Sequence, residues 1–359
     1  MRILLVRLRQ IGDVVFTTPA VHALRLRFPD AHLTYLVEPH AAALVATNPR
    51  LDEILVAPRG TLAAELALVR RLRAARFDLA IDFHGGPRAS LLTWLSGAPM
   101  RIGYEVAGRG WMYTRRVPRP RELRARHSVE NQWDLLTALE IPPPDPSAFP
   151  VEMPVDAEAA RNVQRRLAEA GVRSDEPLIV IHVSAGNPFR RWPVAAFAAL
   201  VHGLIARDPA RRVIVTSGPS DRDASGSVIA QARAQLADAA AARVIACGDF
   251  SLAELRALVE HAALFVGGDS GPLHVAATSA VPIVGLYGPT LPARSAPWRS
   301  RAHVAESVEV LGLPCRPCDQ RVCAPGDFRC LTSVQPAQVI DAAERALARA
   351  AAGKMSMHA

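Results

Sequence analysis

Over roughly its first 150 residues the chain alternates short continuous apolar runs with stretches whose apolar positions recur at helical spacing. Residues 2–8, 32–37 and 77–82 read as strands, and residues 14–28 and 61–75 as helices. Regular alternation of this kind implies parallel strands joined by crossover helices. The segment 141–146, Ile-Pro-Pro-Pro-Asp-Pro, is followed by Pro150 and Pro154 and can extend neither a helix nor an inner strand. A boundary is expected there, with domains over 1–150 and 151–359. The alternation then restarts, with helices expected over 157–170, 194–207, 227–239, 252–261 and 272–278. Strands are expected over 178–183, 213–217, 243–245, 263–266 and 282–286. The closing helix, 336–351, has no obvious partner in the sequence and can pack back on the first domain. The expected class is α/β, with two doubly wound, Rossmann-like domains facing across a cleft. Ligands of open sheets sit beyond the carboxyl ends of the strands, so that cleft is the default site.

Composition narrows the class of partner. Half of the 359 residues are hydrophobic, 5% are aromatic and 21% are charged, the profile of a folded chain rather than a disordered one. A net charge of +8 favours an anionic partner: nucleic acid, an anionic membrane or a phosphorylated substrate. Nucleic acid is the weakest of these, since no recognition motif is present and few aromatics are available to stack bases. No apolar run approaches the roughly 18 to 20 residues of a membrane span, and Arg7 and Arg9 interrupt the opening segment. The expected location is cytoplasmic.

Four loops carry candidate chemistry. The segment 264–274, LFVGGDSGPLH, runs from a buried strand through small residues into a helix with proline near its start. Free amides at such a start, with the positive end of the helix dipole, attract phosphate oxygens. Ser270 can add a hydroxyl, and His274 lies about one turn on. A tight turn capped by Asp269 or Ser270 is the competing reading. The loop 184–193, SAGNPFRRWP, places two arginines at the end of another strand, where they can clamp a diphosphate or simply face solvent. In the loop 217–223 Asp221 can meet a ribose diol or cap the next helix. In the loop 9–13, RQIGD, Asp13 can accept a proton from an acceptor hydroxyl, or again act as a cap.

Three blocks, RILLVR through IGDV at 2–14, RRWP at 190–193, and GDSGPLH through LYGPT at 268–290, resemble the ADP-heptose lipopolysaccharide heptosyltransferases of glycosyltransferase family 9. The resemblance covers nearly the whole chain and implies a GT-B fold, with ADP-heptose on the second domain and the lipopolysaccharide inner core on the first. It implies Asp13 as general base, Arg190 on the donor phosphates, Asp269 near the donor sugar, and Ser270, Gly271 and His274 at the diphosphate. Ser184 falls where relatives place a small hydroxyl residue beside phosphate. The chain departs from the family in Asn187-Pro188-Phe189 and in arginine where lysine is usual at 190. The implied reaction is an inverting single displacement that needs no cofactor, because cationic charge at the leaving group is already supplied.

Four of the five cysteines, Cys315, Cys318, Cys323 and Cys330, lie close together in a Cys-rich loop at 315–330. Such spacing can close a structural zinc or iron site, as the iron-binding cysteine finger of some autotransporter-modifying relatives does, or can be a loop of thiols without metal. Arginines from 115 to 126, among them Arg116, Arg121 and Arg124, suit an anionic acceptor or the anionic inner-membrane surface, which implies peripheral attachment. Competing functions are heptose transfer to a protein, transfer of another sugar to a glycan, a GT-B-shaped epimerase, and a nucleotide-binding module without catalysis.

Overall fold

A computed structural model describes residues 1–58, 60–119, 125–183 and 187–357, with side chains up to residue 353. The chain divides into two compact units, Met1–Pro154 and Val155–Ala359.

In the first unit six strands form one sheet: β1 (Arg2–Val6), β2 (His32–Val37), β3 (Glu53–Val56), β4 (Leu79–Asp82), β5 (Met100–Glu105) and β6 (Arg115–Pro118). Their order is β3-β2-β1-β4-β5-β6, and every pairing is parallel. The second unit repeats this with β7 (Leu178–His182), β8 (Arg212–Thr216), β9 (Val244–Ile245), β10 (Leu264–Gly268), β11 (Ile283–Tyr287) and β12 (Ala305–Glu309), in the order β12-β11-β10-β7-β8-β9. Both are doubly wound sheets, with the direction of winding reversing between β1 and β4 and between β7 and β10. The inner strands are Val/Ile/Leu-rich and buried throughout, as a parallel sheet covered on both faces demands.

Differences from the expected elements have local causes. The helix expected over 14–28 is two helices, Ile11–Val15 and Thr18–Arg27. Pro19 lacks the N–H that would continue the first, and Thr17 and Thr18 turn their hydroxyls onto the carbonyls of Asp13 and Val15. The helix expected over 227–239 begins earlier, at Arg222–Ala234, where its polar first turn hides the apolar period. The proline run packs onto the first unit: Trp133 Nε1 donates to Pro142 O at 2.7 Å, Thr47 Oγ1 to Pro154 O at 2.9 Å, and Val151 and Met153 are buried.

The closing helix Pro336–Met357 packs on helix Val194–Arg207 and on β12 and β11. Gly203 allows the approach, since a Cβ there would stand 2.3 Å from Ile340 Cδ1. Buried Arg211 fastens the contact, donating to Glu344 at 2.6 and 2.8 Å and to Leu204 O at 3.1 Å. Glu344→Ala leaves that guanidinium short of acceptors and is expected to cost about 1–2 kcal/mol. Urea unfolding against wild type measures it, and an unchanged midpoint would mean that the pair does not fasten the helix.

Candidate functional site

At the carboxyl end of β1 the chain turns through Gln10, whose φ of 68° is rare for a residue with a side chain. The turn starts helix Ile11–Val15 with Asp13 in its first turn. The Asp13 carboxylate caps nothing; it pairs with Arg7 Nη2 and remains about one-third exposed. Arg7, on the adjoining strand end, is itself anchored by Nη1 on Phe83 O at 2.5 Å. Beside this turn an open cavity of about 490 Å³ is lined by Arg9, Gln10, Glu38, Pro39 and His40.

The neighbouring loop after β4 is set by a buried carboxylate. Asp82 Oδ1 accepts the N–H groups of His84 and Gly85 at 2.8 and 2.9 Å, and Oδ2 accepts the Tyr113 hydroxyl at 2.6 Å. Burial pushes the Asp82 carboxyl above its ordinary range despite these donors. His84 is brought down to about 4 by burial and by the charges of Arg7 and Arg9, so its imidazole is neutral at pH 7.

In the second unit the strand ends at the β7/β10 reversal bring three of the expected donor residues together. Asp269, following β10, is 2% exposed. Its Oδ2 accepts the Thr290 hydroxyl and lies 3.3 Å from Arg190 Nη1, which also donates to Asp269 O at 2.9 Å. His274 Nε2 stands 3.6 Å from Asp269 Oδ1. Burial alone would raise the Asp269 carboxyl, but His274, Arg190 and Thr290 outweigh it and hold it at about 2. Ser270 is the N-cap residue of helix Gly271–Ala276, yet its hydroxyl bonds back to Gly268 O at 3.2 Å rather than capping. At the end of β7, His182 is buried, lowered to about 4 by desolvation, with Nδ1 2.9 Å from Thr216 Oγ1.

Asp221 has partners of its own. Asp221 is buried with Arg191 Nη2 at 3.3 Å and the Ser220 hydroxyl at 2.8 Å, and its side chain does not cap the helix it precedes. Arg116 is exposed on β6. Ser184, Arg121 and Arg124 lie outside the described residues.

Of the two readings of the cysteine loop, the one with a metal is not supported. Among the described residues, which include all four, no three His, Cys, Asp or Glu side chains converge on a position for a metal ion. Cys318 Sγ accepts the Gln320 N–H at 3.2 Å, and Cys330 is buried in the turn Arg329–Thr332, its thiol pushed up by desolvation.

Arg7, His182, Thr290 and Gln320 were not singled out by sequence reasoning. Thr290 lay inside a quoted motif without a role, whereas Gln320 carried no signal.

The profile of a family described as glycosyltransferase family 9 (heptosyltransferase) matches residues 65–327. The chain belongs to glycosyltransferase family 9. It is similar to lipopolysaccharide heptosyltransferase 3 of Escherichia coli, at 29% identity over 291 residues covering 78% of this chain and 81% of the relative. Among solved structures, a family 9 glycosyl transferase from Veillonella parvula superposes with a TM-score of 0.80 at 24% identity, covering 97% of each chain. The ADP-heptose LPS heptosyltransferase II of Escherichia coli superposes at 0.76 with 22% identity, covering 97% of this chain and 99% of the other. The fold of this family 9 glycosyltransferase is accordingly GT-B.

Asp269 supplies a pH signature. Its carboxyl is held below the ordinary 3.8, so its stabilisation is complete above that value and is lost as pH falls toward 2, the unfolded chain taking up the proton first. Between about pH 5 and pH 3 wild type should lose about 1 kcal/mol more unfolding free energy than Asp269→Asn. Urea unfolding at each pH measures the difference; equal losses would show that the carboxyl is not held low.

Proposed function

We propose that this enzyme transfers heptose from ADP-heptose to the inner core of lipopolysaccharide, by a single displacement that inverts the anomeric centre. The observation that carries the reading is the Arg190–Asp269 pair beside the start of helix Gly271–Ala276. It sets a cation and backbone amides where sheets of this strand order hold nucleotide diphosphates. The donor and acceptor follow the names of the relatives, an ADP-heptose LPS heptosyltransferase and a lipopolysaccharide heptosyltransferase.

In this mechanism an acceptor hydroxyl oxygen attacks the anomeric carbon while Asp13 takes its proton. The bond from that carbon to the β-phosphate oxygen breaks, and its electron pair leaves with ADP. Arg190, the backbone N–H groups of Ser270 and Gly271, and His274 meet the charge gathering there. Ser184 contributes a hydroxyl to the phosphates, Asp269 holds Arg190 near the donor sugar, and Asp221 meets the ribose diol. The cavity beside Gln10 takes the acceptor sugar, and Arg116, Arg121 and Arg124 take its anionic groups. Arg7 keeps the Asp13 carboxylate in place until the acceptor arrives.

Asp13→Asn should bind ADP as wild type does and lose transfer by at least about a hundredfold. ADP release from ADP-heptose in the presence of a panel of truncated core acceptors, with product masses, is the measurement. Near-normal turnover in that variant removes Asp13 from the base role, and no ADP release with any heptose acceptor from wild type removes the assignment.

The same reading includes peripheral attachment to an anionic membrane surface. Among the described residues no helix is long and apolar enough to cross a membrane. On the first unit Trp94 and Trp111 are 38% and 61% exposed and stack edge to face at 5.4 Å, with Leu91 also exposed. Arg73 bonds to Leu95 O at the end of the same helix, and Arg115 and Arg116 are exposed on β6. Interfacial tryptophans with arginines suit an anionic headgroup layer. Wild type should co-sediment with vesicles containing phosphatidylglycerol but not with phosphatidylcholine alone, and Trp94→Ala/Trp111→Ala should weaken binding severalfold. Equal binding by that variant would take the tryptophans out of the attachment.

A further inference from the structure

Arg190 is held from two sides, and one of them comes from the cysteine-rich loop. Gln320 Oε1 accepts both Arg190 Nε, at 2.8 Å, and Asn187 Nδ2, at 2.7 Å. Two donors on one atom fix which end of the Gln320 amide faces them. Asn187 Oδ1 in turn accepts the Phe189 N–H at 3.0 Å, capping the short turn Pro188–Arg190. Across the guanidinium, Nη1 donates to Asp269 O. An arginine held at both Nε and Nη1 has a defined plane, so less side-chain freedom remains to be lost when an anion binds.

The loop presenting Gln320 is itself fastened to the site. The side chain of Arg316 is 5% exposed and donates to Val310 O at 2.6 Å, Thr290 O at 2.9 Å and Glu309 Oε2 at 2.8 Å. The Cys318 N–H reaches Pro289 O at 3.1 Å, and Phe328 meets Phe189 edge-on at 5.2 Å. Gln320 has a φ of 60°, a conformation costly for most side chains. That conformation is maintained while the amide is aimed at Arg190.

We infer that Gln320 is a positioning residue for the donor site: it orients Arg190 for the β-phosphate of a nucleoside diphosphate. The inference depends on Arg190 contacting the donor diphosphate, as proposed above. It gives the cysteine-rich loop a role in this chain that requires no metal.

The test is titration calorimetry of the full chain with ADP and with AMP, which lacks the β-phosphate. Gln320→Asn and Gln320→Gly both suit a φ of 60°; the first shortens the amide's reach and the second removes it. Each should raise the Kd for ADP roughly five- to tenfold, the effect of about one ordinary hydrogen bond, and leave that for AMP nearly unchanged. Thermal midpoints should stay close to wild type. In an Arg190→Met background the same changes should add nothing. Wild-type ADP affinity in both Gln320 variants, with Arg190→Met impaired, overturns the positioning role and leaves the Arg190 assignment standing. A loss that falls equally on AMP, or adds in full to that of Arg190→Met, also overturns it, because Gln320 would then act by another route. Wild-type ADP affinity in Arg190→Met removes the phosphate assignment and this inference with it.

Discussion

The reversal of winding at the middle of each sheet is the constraint on which the rest depends. Where β1 lies beside β4, and β7 beside β10, the connections leave in opposite directions and the strand ends between them stay uncovered. Asp13 follows β1 and the Asp82 loop closes β4; Arg190 follows β7 and Asp269 follows β10. Residues distant in sequence meet there because parallel pairing brings their strand ends level. The Tyr113 hydroxyl reaches Asp82 across 31 positions, and Arg190 reaches the Asp269 carbonyl across 79.

Each unit uses an arginine to manage an aspartate, with different results. Arg7 meets an Asp13 carboxylate that is still open to water, a geometry a substrate hydroxyl can enter. Arg190 meets an Asp269 carboxylate that is almost wholly enclosed, where Thr290 and His274 complete its surroundings. A buried charge is tolerable only when so surrounded. In the first pair the aspartate is the reachable member; in the second it is the arginine, about 29% exposed.

Much of the fold was legible because inner parallel strands are apolar on both faces and helices repeat at their own period. The strand at 32–37 and the helix at 194–207 were expected with the bounds they have. The edge strands Glu53–Val56, Arg115–Pro118 and Ala305–Glu309 were not, since half-exposed strands carry charges that blur the pattern. At the site, Asp269 and Arg190 stood in recognisable motifs. Gln320 did not: its importance lies in one oxygen placed between two donors 130 and 133 positions away, and no local spacing encodes that. For the cysteines, closeness in sequence does not fix where thiols point.

The docking of helix Pro336–Met357 bears on how the protein is made. Val339, Ala342, Ala343 and Ala346 belong to the same buried cluster as β7 and helix Val194–Arg207, so the second unit's core is incomplete until they arrive. The six strands of the first unit all precede residue 154 and can assemble while the chain is still being synthesised. The second unit cannot close its core before residues 339–346 are in place, with Arg211 on Glu344.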